Sequence, residues 1–164
     1  MRNHEKANQH TYSTDGTRIA FSQIGSGPAL LLIHGSGSDQ TRWSGLLPYL
    51  TPYFTLYCMD RRGRGESGDR DPYSIQREYE DVCAVAKAIG SPLNILAHSF
   101  GAACALGAAT SIPTLERLVL YEPPLLAAQQ SSSRLHLIEQ MESALDRGDR
   151  EFVVFLLLNG MLQI

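Results

Sequence analysis

Four short runs of the chain are too apolar to face water on either side. They are Ala29-Leu30-Leu31-Leu32-Ile33, Phe54-Thr55-Leu56-Tyr57-Cys58-Met59, Leu93 to Leu96, and Leu118 to Tyr121. A strand with one wet face alternates polar and apolar residues, so runs without alternation predict strands covered on both faces. The segments between them carry helical spacing. Ile75, Tyr79, Val82, Ala86 and Ile89 recur every three or four residues across Tyr73 to Ile89, stopped by Gly90, and Ser99 to Ala109 is Ala-rich. Trp43 to Leu50 reads as a short helix despite Pro48, and Thr17 to Ile24 as a hairpin strand after a turn at Asp15-Gly16. Buried strands alternating with helices predict an α/β fold, a mostly parallel sheet flanked by helices. After Pro123-Pro124 the alternation ends: Leu135 to Leu145 and Glu151 to Leu158 read as two helices with no strand between them.

Composition narrows the class. The 164 residues are 43% hydrophobic and 19% charged, a globular balance with core enough for one domain. A formal charge of −3, with both signs scattered, argues against nucleic acid or an anionic membrane as partner. The opening Met1 to His10 has no apolar stretch and does not read as a secretory signal. The longest apolar run, Phe152 to Leu158, is too short to span a bilayer. Cys58, Cys83 and Cys104 lack metal-ligand spacing and read as buried core thiols of a cytoplasmic protein.

The chemistry concentrates where Leu93 to Leu96 gives way to Ala97-His98-Ser99-Phe100-Gly101. Ligands meet a parallel sheet at the carboxyl ends of its strands. A sharp strand-to-helix turn there strains the turn residue and exposes its side chain. The positions two before and two after must be small, as Ala97 and Gly101 are. The following helix N-terminus offers N–H donors suited to a developing oxyanion. A serine at such a place also caps helices, so Ser99 by itself fits two readings. Three further stretches favour a nucleophile: His34-Gly35-Ser36-Gly37, Asp60-Arg61-Arg62-Gly63-Arg64-Gly65-Glu66-Ser67, and Tyr121-Glu122-Pro123-Pro124, each ending a predicted strand.

In combination and order, HG, DRRGRGES, AHSFG and YEPP resemble the α/β-hydrolase superfamily, from about Thr17 to Leu125. Ala97 departs mildly from its commonest G-x-S-x-G pattern. The resemblance implies a core over residues 1–125 and the start of a helical cap over 126–164. It implies Ser99 as nucleophile, the N–H groups of Ser36 and Phe100 as oxyanion hole, a small-molecule acyl substrate, and no cofactor or metal. His34 is expected to brace the oxyanion turn and His98 to point away from Ser99. Asp60 and its arginines are expected to hold their loop, and Trp43 to be a core or pocket-wall residue.

The triad partners of such a serine follow it in the chain. Only one histidine does, His136, within a predicted helix and better read as a surface residue. Glu122, at a strand end, is a possible triad acid, the alternative being an acid one strand later. The chain is therefore expected to be the front portion of a serine esterase or lactonase, its sheet ending after the sixth strand. The strand around Leu118 to Tyr121 would then be an apolar edge, inviting self-association or a complementary chain. The reading from another class is a non-catalytic binding or assembly module on the same fold. The isolated chain is expected to hydrolyse activated esters weakly or not at all, which p-nitrophenyl acetate turnover measures. Robust turnover lost in Ser99→Ala but kept in His136→Ala would reveal a base elsewhere.

Overall fold

The computed structural model describes residues 7–124 and 132–162. The opening residues 1–6 and the expected boundary at 125/126 lie outside the described residues. The chain divides into two compact units, Met1–Pro124 and Leu125–Ile164.

The first unit holds a six-stranded sheet: β1 (Ala7–Tyr12), β2 (Arg18–Gly25), β3 (Ala29–Ile33), β4 (Thr55–Met59), β5 (Leu93–His98) and β6 (Leu115–Tyr121). Their order is β1-β2-β4-β3-β5-β6. The last four in the chain run parallel, while β1 and β2 are antiparallel to their neighbours. This is the predicted mostly parallel α/β sheet, with β1 as an addition. The pattern had not revealed β1, because its residues are almost all exposed and carry no apolar signal.

Every residue of β3 is buried. Ala29, Leu31 and Ile33 enter one core with Ile95, Ala97, Val82, Val85 and Ala105; Leu30 and Leu32 enter the other with Trp43, Leu56 and Cys58. Each fully buried Leu or Ile contributes about 1.5–3 kcal/mol relative to exposure, so β3 anchors both layers at once. The expectation of two covered faces fails for the strand at Leu118 to Tyr121. There β6 is the sheet edge among the described strands, and Val119 and Tyr121 are more than half exposed.

Helix α2 (Ile75–Ile89) begins at Ser74, whose side chain accepts from the Arg77 N–H, and ends at Gly90 in the left-handed conformation (φ +67°). The predicted helix at Trp43 to Leu50 is instead a 3₁₀ turn, Gln40–Trp43, followed by one turn, α1 (Leu47–Leu50), with Pro48 in its first positions. Helix α3 (Phe100–Ala108) buries Ala102, Cys104, Ala105 and Ala108. The second unit is a helical hairpin, α4 (Ser132–Asp146) and α5 (Arg150–Leu162), with Ala144 and Leu156 buried. Cys58 and Cys104 are buried and Cys83 is half-buried. No helix among the described residues is long and apolar enough to cross a membrane.

Gly101 lets α3 approach β3 closely. A Cβ there would collide with the carbonyl oxygen of His34 and lie 2.9 Å from that of Ile33. Helix propensity favours alanine over glycine by about 1 kcal/mol, but overpacking costs about 1–3 kcal/mol or more, and these carbonyls follow the central strand and have little room to move. Gly101→Ala is therefore expected to destabilise the fold by about 1–2 kcal/mol despite its better propensity, measured by urea unfolding.

Candidate active site

Strand register gathers the marked residues at one edge of the sheet. Ile33 pairs with both Met59 and Ala97, and His98 pairs with Tyr121. The next residues along are His34, Asp60, Ser99 and Glu122, so four loops begin at nearly one level.

Ser99 occupies the sharp turn between β5 and α3, with φ +51° and ψ −125°. It is half-buried, and its N–H donates to the Tyr121 carbonyl (3.0 Å). Its side chain makes no capping hydrogen bond to α3, which removes the simple cap reading. Glu122 is the other non-glycine residue with positive φ (+48°) among the described residues. Such backbone costs of order 1–3 kcal/mol and persists where the surroundings enforce it.

Gly35 packs the HG turn against the elbow: a Cβ on it would lie 3.0 Å from Ser99 Cβ and 3.1 Å from His98 Nδ1. Ser36, next in the chain, is exposed. Among the described residues, the N–H groups of Ser36 and Phe100 have no hydrogen-bond partner. His98 stacks on Tyr121 (5.3 Å between ring centroids), and its Nε2 lies 3.7 Å from Glu122 Oε2.

His34 is fully buried. Its Nε2 accepts the Arg61 backbone N–H (3.1 Å), so in the neutral ring the proton sits on Nδ1, which donates to the Gly35 carbonyl (2.8 Å). Burial, aided by the Arg61 charge, holds the His34 pKa below the ordinary value. Asp60 is also fully buried and ties three segments together. Its Oδ1 accepts from Gln40 N–H (2.7 Å), and its Oδ2 from Gln40 Nε2 (2.8 Å) and Glu66 N–H (3.0 Å). Trp43 is a core residue behind this turn.

The arginines of DRRGRGES do hold their loop, through carboxylates that lie outside the motif, on α2. Arg61 forks onto Glu78 (Nε 3.0 Å, Nη2 2.5 Å) and Arg62 onto Asp81 (Nε and Nη2 both 2.7 Å). Arg62 also reaches Asp15 at 3.0 Å; against burial, which raises it, hydrogen bonds from Thr17 and then from Arg62 hold that carboxyl well below the usual range. Glu78 and Asp81 lie three apart on the buried face of α2, a spacing that matches two consecutive arginines. His136 is exposed on α4 beside Glu139 and Gln140, as a surface histidine would be. Burial pushes the Cys104 thiol up to about 12, so it is no nucleophile at neutral pH. Among the described residues no cluster of His, Cys, Asp or Glu has the makings of a metal site.

Residues 30–162 match the model of the alpha/beta hydrolase family. The chain belongs to the α/β-hydrolase family. It is similar to N-formylmaleamate deformylase of Pseudomonas putida, 39% identical over 117 residues, which are 68% of this chain and 44% of that protein. Among solved structures it resembles an α/β hydrolase of Sphaerobacter thermophilus, with a TM-score of 0.80, 36% identity, and coverage of 92% of this chain and 59% of that one. It also resembles the N-formylmaleamic acid deformylase of Pseudomonas putida S16, with a TM-score of 0.69, 28% identity, and coverage of 87% and 57%. The chain thus spans about half the length of the curated relatives it matches.

The neutral, buried His34 has a pH signature. With its folded pKa below the unfolded value near 6.5, the unfolded chain takes up the proton first as pH falls. Stability is then full above about pH 6.5 and declines below it. Urea unfolding at pH 8, 6.5 and 5.5 is expected to show this decline, and His34→Gln, which cannot titrate, to flatten that component.

Proposed function

We propose that this α/β-hydrolase chain belongs to a serine hydrolase that cleaves a carboxylic ester or similar acyl substrate. The observation that carries the reading is the strained, uncapped Ser99 at the β5–α3 turn, with the HG turn packed against it. Ser99 Oγ attacks the acyl carbon and yields its proton to a general base, while the carbonyl oxygen takes the negative charge. The N–H groups of Ser36 and Phe100, neither with a hydrogen-bond partner among the described residues, stabilise that charge. Collapse expels the leaving group and leaves an acyl-Ser99, which water hydrolyses. The chemistry needs no cofactor.

Glu122 is proposed as the triad acid. It ends the strand beside β5, and its positive φ marks it as the second strained residue of this edge. The base is assigned to no residue of this chain. The relative named as a deformylase acts on an N-formyl compound by its name, and a formyl amide is an acyl substrate of the same kind. The α4–α5 hairpin is proposed as the start of a cap that selects the acyl or leaving group. The alternative reading, from another class, is a binding module on the same fold.

A fluorophosphonate probe separates the two. The 164-residue chain is expected to label slowly, with the adduct on the peptide containing Ser99 and none in Ser99→Ala. Labelling that is equal in both proteins would leave the binding module as the reading.

A further inference from the structure

We propose that Arg61 is a positioning residue for the oxyanion hole, acting by locking the Gly35–Ser36 peptide plane. The inference rests on the serine-hydrolase reading above and names the device that aims its donors.

The Gly35 carbonyl oxygen has two lone pairs, and both are filled. Arg61 Nη1 donates to it at 3.1 Å and His34 Nδ1 at 2.8 Å. The same peptide unit carries the Ser36 N–H. In a planar trans peptide the C=O and N–H point in opposite directions, so fixing the carbonyl fixes the donor. Gly35 is otherwise the residue least able to resist a peptide flip. The cationic donor also draws electron density toward the carbonyl oxygen and makes the Ser36 N–H a stronger donor.

Arg61 controls the second lone pair as well. Its backbone N–H occupies His34 Nε2, which leaves the imidazole proton on Nδ1, facing Gly35. Its guanidinium carbon lies 4.6 Å from the centroid of the Phe100 ring, so the residue supplying the other donor packs against the same group. The guanidinium is held in turn by Glu78 through Nε and Nη2, leaving Nη1 for Gly35. Three bonds in one rigid plane are within the reach of arginine. A lysine ammonium is a single point and lacks that fork.

Phenylboronic acid tests the proposal, because a serine boronate places an oxygen in the oxyanion hole and forms at equilibrium without turnover. Boron NMR follows the tetrahedral adduct, and carbon NMR of the free protein follows the Gly35 carbonyl. The wild-type chain is expected to form the adduct and Ser99→Ala to form none. Arg61→Lys is expected to keep the fold, move the Gly35 carbonyl resonance upfield, and weaken the adduct on the order of tenfold, less than loss of a whole donor. Arg61→Met with Glu78→Leu replaces the buried ion pair by apolar side chains, an exchange folds often tolerate. It is expected to weaken the adduct at least as much, and it stands as the test should Arg61→Lys not fold. Wild-type affinity with an unmoved Gly35 resonance in the folded variant would overturn the role of Arg61 alone. A wild-type chain that forms no adduct would sink the serine reading, and this inference with it.

Discussion

Every residue of strand β3 is buried, and the first unit is arranged around that fact. A strand buried on both faces needs a helical layer on each side and a paired strand on each edge. Here β4 and β5 pair with it in parallel while Leu31 and Leu32 feed opposite cores. Parallel pairing has a further consequence: the three strands end together. His34, Asp60 and Ser99 follow at almost the same height, so chemistry separated by 65 residues in the chain is gathered by hydrogen-bond register.

The loops at those ends are held by charges that would be costly alone. Arg61, Arg62, Glu78 and Asp81 are nearly inaccessible. An isolated charge in such a place is penalised by several kcal/mol, and only close, multiply bonded geometry offsets it. Bidentate forks supply that geometry. The pairs add little net stability over apolar packing of the same volume; what they give is direction. A guanidinium fixed by Glu78 has one remaining orientation in which to meet the Gly35 carbonyl, and the HG turn is held accordingly.

Among the described residues, the positive-φ side chains lie at the same edge. Ser99 and Glu122 take backbone conformations that side chains disfavour, at the ends of neighbouring strands joined by the Ser99 N–H to Tyr121 carbonyl bond. The glycines there do a different job from turn glycines. Gly35 and Gly101 are needed because backbone or Ser99 Cβ stands where a side chain would go. The fold therefore packs the HG turn against Ser99 and the start of α3 against the end of β3.

Much of this was legible in the chain itself. Apolar runs without alternation marked β3, β4 and β5, since burial on both faces leaves no place for polar residues. Ala97 and Gly101 around Ser99 announced the tight turn, because only small residues fit where strand and helix pass closely. The exposed strand β1 left no mark, being held by backbone pairing to β2 rather than by side-chain burial. The partners of Arg61 and Arg62 were hidden for another reason. Glu78 and Asp81 look like the wet side of α2 in sequence, and only tertiary packing turns that face inward toward two guanidinium groups. Local sequence determined β3, β4, β5, the elbow and the glycines, because these follow from solvation and steric limits within a few residues. The tautomer of His34, the plane of the Gly35–Ser36 peptide and the pairing of Glu122 with His98 were decided by tertiary structure, since each depends on groups that register and packing bring from distant segments.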